Sequence, residues 1–219
     1  MGQKTHPVGF RLGIKSTWKA KWFSSSDFSK FLIEDIKIRK FLDKKLRKVG
    51  LSRIEIERSV KKTKVILYVS KPGLVIGRGG SGIESLKKNL NDLIGKNSNI
   101  QISVTEVKSP FLSAKIIAEE IATQVERRMS PKRIFNNTIE KVMNAGAKGV
   151  KIALKGRISG QEIARNIHKS LGSVPLQTLS ADVDFARATA FTKYGTIGIK
   201  VWIHKDQESN FKKQKNNRF

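Results

Sequence analysis

The run Val75-Ile76-Gly77-Arg78-Gly79-Gly80 constrains this chain more than any other segment. An apolar stretch with strand character, Val65-Ile66-Leu67-Tyr68-Val69, comes before it. An amphipathic helical pattern, Ile83, Leu86, Leu90, Leu93 and Ile94, comes after. The chain must therefore pass from extended to helical across a G-x-x-G turn. Gly77 and Gly80 lack the Cβ that would hold the backbone away from a phosphodiester. The helix start just behind them points unpaired N–H groups at the same place, which favours an anionic oxygen. G-x-x-G alone is also an ordinary turn, so the reading rests on its flanks and on charge.

The flanks are specific. Ser24-Ser25-Ser26-Asp27 is a helix-start signal, and Phe28, Phe31, Leu32, Ile36, Phe41, Leu42, Leu46 and Val49 follow at helical spacing, in one or two pieces, until Gly50. Arg53-Ile-Glu-Ile-Glu-Arg58 alternates as a half-buried strand does, Lys64–Ser70 is the next strand, and Ile100-Gln-Ile-Ser-Val-Thr105 a third. Helix, strand, strand, helix–loop–helix, strand is the order of the second KH topology, whose G-x-x-G loop clamps a nucleic-acid backbone. A domain over residues 17–108 is expected.

Charge points the same way. Lys and Arg number 44 against 18 Asp and Glu, a formal net charge of +26. Residues 1–107 carry 23 basic and 9 acidic side chains, and residues 108–219 carry 21 and 9. Both halves repel themselves unless a polyanion neutralises them, which suggests a body embedded in nucleic acid rather than one basic tail on a neutral domain. The absence of Cys excludes disulfides and thiolate metal sites and fits a reducing compartment. No stretch approaches the ~20 apolar residues of a membrane span, and the start has no apolar secretory pattern. A soluble, intracellular protein with no membrane partner is expected.

Residues 1–16 read as a basic, extended N-terminal arm. Ser109-Pro110 marks a boundary, after which a helix from about Ser113 to Arg128 uses Ile117, Ile121 and Val125. Ser130-Pro131 starts another, with Ser130 as N-cap and Ile134, Phe135, Thr138, Ile139, Val142 and Met143 as its apolar face. Strand candidates follow at Val150–Leu154, Thr178–Phe185 and Thr196–Ile203. Residues 109–205 are thus expected to form a two-helix, mostly antiparallel α/β domain, and 206–219 a basic tail, disordered when free. The fold class is α+β.

Arg127, Arg128, Lys132 and Arg133 place four cations across the end of one helix and the start of the next. Arg127 and Arg128 suit a helix C-terminus, whereas Lys132 and Arg133 oppose the macrodipole of a first turn. Such a penalty suggests a phosphate partner; a solvated helix corner is the plain alternative. Lys61, Lys62 and Lys64 are either a soluble hairpin tip or an RNA contact. Asp182 and Asp184 share one strand face. A two-carboxylate metal site is weaker there than salt bridges to Arg157, Arg165 or Arg187. His6, His168 and His204 have no metal-ligand spacing, and no nucleophile or Walker motif occurs. No catalytic residue, metal or cofactor is assigned. Trp18 and Trp22 have the option of stacking on bases, while Trp202 fits packing within an apolar strand.

Several further segments carry a family resemblance: Gly2-Gln-Lys4, Pro7, Arg11-Leu-Gly13, Trp22-Phe23, Val75–Gly80, Ala147-Lys-Gly149, Gly156-Arg157, Glu162-Ile-Ala-Arg165, Val174-Pro-Leu176, Ala181–Asp184, Tyr194-Gly195 and Gly198–Ile203. In this order, over about residues 1–205, they resemble the bacterial-type small-subunit ribosomal protein S-three family. The resemblance implies a KH type 2 domain plus a C-terminal α/β domain in the head of the small subunit. It implies binding to rRNA, neighbours in ribosomal proteins S-ten and S-fourteen, and a place lining the channel through which mRNA enters. Its RNA contacts would include Gly77, Arg78, Gly79 and Gly80, the corner at Arg127, Arg128, Lys132 and Arg133, and Lys4, Arg11, Arg157 and Arg165. In the family the cations at Lys132 and Arg133 face incoming mRNA and support unwinding, with a third basic residue one turn later. Asn136 stands there in this chain, and Asn166–Ser170 and Ser173 also depart from the usual residues. A cytoplasmic ribosome is the expected setting, an organellar one the variant. The rival functions are a free KH-type regulator binding single-stranded RNA and an RNA-processing factor.

Overall fold

The computed structural model describes residues 4–59, 62–94 and 100–205. The chain divides into two compact units, one running from Trp18 to Pro110, the other joining the residues up to Thr17 with those from Phe111 onward.

In the first unit, β1 (Ala20–Lys21), β2 (Leu51–Ser59), β3 (Lys62–Val69) and β4 (Ile100–Glu106) form a sheet in that spatial order. β1 pairs parallel with β2, β2 antiparallel with β3, and β3 parallel with β4. α2 (Phe28–Leu46) is one continuous helix, and Gly50, at φ 80°, ends the helical stretch in the left-handed region that favours glycine. A short helix, α3 (Pro72–Ile76), stands between β3 and the G-x-x-G turn, and α4 (Ser81–Ile94) follows it. Ile38, Leu42 and Leu46 of α2, Val75 of α3 and Leu86 and Leu90 of α4 pack against Ile54, Ile56, Val65, Leu67 and Ile100. Arg58 closes one side of this unit, with its Nη2 2.6 Å from Asp35 and its Nη1 2.7 Å from Glu34. The Trp22 indole N–H donates to Asp35 at 2.8 Å, so Trp22 anchors its segment to α2.

In the second unit, α5 (Ala114–Glu126) and α6 (Pro131–Asn144) lie on one face of a four-stranded sheet. Its strands are β5 (Ala147–Gly156), β6 (Arg165–Gly172), β7 (Val183–Thr192) and β8 (Gly195–Lys205), in the order β6-β5-β8-β7, antiparallel throughout. Ile117, Ile121, Ile134, Ile139 and Val142 of the helices meet Val150, Ile152 and Leu154 of β5 and the odd-numbered positions of β8. This is the α+β class the sequence implies.

Three local expectations change. Residues 7–10 form a short helix, α1 (Pro7–Phe10), instead of an extended arm, and this segment belongs to the second unit. The strand expected at Thr178–Phe185 begins only at Val183, because the backbone before it turns its carbonyls onto Arg11. β6 was not expected at all; every residue in it is exposed, so it carries no inside–outside alternation. Lys61 and the tail from residue 206 lie outside the described residues.

Candidate nucleic-acid interface

Two surfaces of the molecule combine exposed cations with backbone at positive φ. The first is the G-x-x-G loop. Gly77, Gly79 and Gly80 all have positive φ (72°, 60° and 83°), a region that costs other residues about 1–2 kcal/mol. A Cβ on Gly79 or Gly80 would meet no protein atom, so both leave open space for a backbone to approach. Gly77 differs, since its Cβ would lie 3.0 Å from the Gly82 nitrogen. Its N–H already donates to Gly73 O at 3.0 Å, which caps α3 and leaves that donor unavailable to a phosphate. Around this loop the tightest glycine is Gly82, which the G-x-x-G pattern does not include. A Cβ there would sit 2.4 Å from Val75 O, so Gly82 is what lets α4 start against the end of α3. Arg78 is exposed at the loop tip; its carbonyl accepts from Ser81 Oγ at 2.9 Å, while its guanidinium meets no partner among the described residues.

The second surface is the corner between α5 and α6. Arg127, Arg128, Lys132 and Arg133 are all exposed, and none meets a carboxylate among the described residues. α5 ends in a Schellman arrangement, with Arg128 N–H donating to Val125 O at 2.9 Å and Met129 N–H to Gln124 O at 3.1 Å. This places Arg128 at φ 59°, where glycine is usual. Arginine there costs about 1 kcal/mol or more, and Lys132 and Arg133 sit in the first turn of α6 against its dipole. Ser130 is the N-cap residue, but its side chain makes no capping hydrogen bond. Three of the corner's four cations, Arg128, Lys132 and Arg133, are therefore held at a cost in intrinsic stability.

A fifth cation reaches this surface from outside the helices. Lys169 of β6 donates from Nζ to Asn136 Oδ1 at 2.6 Å. Asn136 follows Lys132 by four residues and Arg133 by three, so the three positions are neighbours on one exposed helix face. Sequence reasoning missed Lys169, because β6 itself gave no strand signal. Helix-face spacing reveals Asn136, but not what reaches it from another element.

The remaining candidates separate. Lys4 and Arg165 are exposed. Arg157 is exposed too, but Nε donates to Gln161 O at 2.9 Å and Nη1 to Tyr194 O at 3.3 Å, which fastens the turn after β5. Arg11 is a correction. It is only 2% exposed, and its guanidinium donates to Ala181 O (2.7 Å), Thr178 O (2.8 Å), and Pro7, Pro175 and Leu176 O (each 3.0 Å). Burial pulls it below its ordinary pKa while Asp182 opposes the shift. Arg11 ties residues 175–181 in place and presents nothing to RNA. Asp184 is corrected likewise: it accepts from Ala114 N–H at 3.1 Å at the start of α5 and lies 3.2 Å from Lys205, in place of the expected Arg157, Arg165 or Arg187. Trp202 lies half-buried on the sheet face away from α5 and α6, with its ring centroid 5.2 Å from that of Phe185.

Comparison with known proteins decides what kind of chain carries this geometry. Residues 37–112 match the family model of the KH domain, and residues 121–203 match that of ribosomal protein S3, C-terminal domain. The small ribosomal subunit protein uS3 of Clostridium botulinum is 50% identical over 208 residues, covering 94% of each chain. That of Clostridium acetobutylicum is 50% identical over 205 residues, 93% of this chain and 92% of its own. The chain belongs to the uS3 family. The first matched region of this uS3-family chain is a KH domain, and the cationic corner lies close to the border between the two matched regions, at the start of the second.

Proposed function

We propose that this protein is a non-catalytic constituent of the small ribosomal subunit that binds rRNA and presents the α5–α6 corner to mRNA as it enters. The observation that carries the reading is the corner itself: Arg127, Arg128, Lys132 and Arg133 exposed without carboxylate partners, Arg128 in the left-handed region and two of the others opposing a helix dipole. Lys132 and Arg133 gain most when a phosphate backbone arrives, since its charge offsets their conflict with the helix dipole. Lys169 completes the face that the uncharged Asn136 would otherwise leave weak, so the third cation of the family pattern is supplied here from β6. The G-x-x-G loop, with Gly77 committed to α3, serves rRNA packing more than capture of a free strand. Exposed Phe28, Leu32, Ile33 and Ile36 on α2 form an apolar surface of the kind that meets protein, which supports neighbours such as S-ten and S-fourteen. The setting is the ribosome of the cytoplasm, and no reaction is assigned.

The test is translation by ribosomes carrying Lys132→Ala with Arg133→Ala. Subunits should assemble, unstructured messages should be read at the parental rate, and messages with a stable hairpin should be read more slowly. Parental speed on hairpin messages would reduce the corner to solvated surface.

A further inference from the structure

The sheet of the second unit is covered by α5 and α6 on one face, and strand register defines what the other face carries. Across β6-β5-β8-β7 one row reads Asn166, Lys155, Gly198, Thr189, the next His168, Ala153, Lys200, Arg187, and the third Ser170, Lys151, Trp202, Phe185. These rows contain no carboxylate. Lys200 and Arg187 are direct cross-strand partners, an arrangement of like charges that destabilises a sheet. Lys151 Nζ lies 5.9 Å from the Trp202 ring centroid, and Arg187 Cζ lies 5.9 Å from that of Phe185. α1 and His6 cover the Phe185 end of the face, where the His6 and Phe185 rings are 4.9 Å apart. Lys155, His168 and Arg187 are exposed, and Lys151 and Lys200 half-buried.

We propose that this open sheet face is a second RNA-binding surface, contacting the phosphate backbone of an rRNA segment through Lys151, Lys155, Arg187 and Lys200. Lys151 and Lys155 stand about 13 Å apart along β5, and Lys200, opposite Ala153 on β8, lies diagonally about 8 Å from each. Cations distributed in this way track a backbone rather than clasp one phosphate. A row that pairs Lys with Arg across strands gains stability when a polyanion lies over it. Because the α5–α6 corner belongs to the helical side of the same sheet, the unit would hold RNA on both sides. The inference rests on the rRNA-binding reading of the chain and is independent of the mRNA reading of the corner.

The full chain carrying Lys151→Gln, Lys155→Gln, Arg187→Gln and Lys200→Gln should be titrated with small-subunit rRNA across a salt series. A matched variant with Lys37, Lys40, Lys44 and Lys45 of α2 changed to Gln controls for bulk charge. The sheet-face variant should lose about 3 units from the slope of log K against log salt, at roughly 0.7–0.9 per phosphate contact, with a larger loss than the control. Arg187→Gln and Lys200→Gln singly should each lose about one such contact, which keeps the test open if the fourfold variant folds poorly. A slope within one unit of the parent, or a loss no greater than the control's, overturns the proposal. So does unchanged rRNA binding with a neighbouring protein missing from assembled particles, since an acidic protein would then be the occupant. Lys132→Gln with Arg133→Gln, run alongside on hairpin messages, separates the two surfaces: a defect there with a normal sheet-face variant refutes this proposal alone.

Discussion

Replacing Arg11 by Met keeps the length of the side chain and removes the guanidinium, leaving five carbonyl oxygens without their donor. Those of Pro175, Leu176 and Thr178 are bonded at partly buried positions, where water replaces the lost donor. The bonds to Ala181 O and Pro7 O are buried. Each stranded buried acceptor costs about 1–3 kcal/mol. Removing one cation from a chain at +26 returns a fraction of that. The expected loss is about 3–4 kcal/mol in the second unit. With a urea m-value of about 2 kcal/mol/M, the unfolding midpoint followed by Trp202 fluorescence should fall by about 1.5–2 M. Lysine at this position should rescue little, because an ammonium offers three donors from one point where the guanidinium reaches in three directions. A midpoint within about 0.3 M of the parent would refute the structural role. Folded Arg11→Met protein should also keep the parental salt slope for rRNA binding, and a shallower slope would restore Arg11 to the RNA contacts.

Three further outcomes follow from the two interface surfaces. Arg128→Gly removes a left-handed arginine, so thermal unfolding should show a gain of about 1 kcal/mol while the salt slope for RNA drops by roughly 0.7; loss of stability would contradict the backbone argument. Gly82→Ala should destabilise the first unit by more than 2 kcal/mol, because its Cβ would fall on Val75 O, whereas Gly80→Asp should lower stability by only about 1–2 kcal/mol and weaken short-RNA binding; equal melting temperatures for the two would undo this ordering. Asn136→Lys brings a second ammonium against Lys169 and should give little gain on hairpin messages, while Asn136→Lys with Lys169→Asn should match the parent. A large gain from the single change would show that Lys169 does not serve as the third cation.

What was legible in the sequence is what alternates. Arg53–Arg58 and the apolar positions of α2, α4, α5 and α6 each have one wet and one dry face, and their periods reveal the KH topology and the helices of the second unit. β6 lies exposed along its whole length, so Arg165–Gly172 shows no period, and Lys169 stayed hidden with it. Arg11 enters the RNA contacts only through the family resemblance, since a cation among Gly and Pro in an acid-free segment looks the same whether carbonyls or phosphates receive it. The same clip explains the late start of β7, since the residues around Thr178 turn inward to Arg11 before the chain extends. Gly82 escaped notice because its constraint is a close approach of α4 to α3, which G-x-x-G does not encode. The corner was legible because its cost, cations in a first helical turn, is itself a sequence property.

The chain contains no cysteine, so a single Ser130→Cys places one photo-crosslinker beside the corner with all four cations intact. On small subunits bound to a defined message, the account predicts crosslinks to mRNA on the 3′ side of the codons being read, lost when Lys132 and Arg133 are changed to Ala. Crosslinks to rRNA or protein alone, with none to the message, would contradict it.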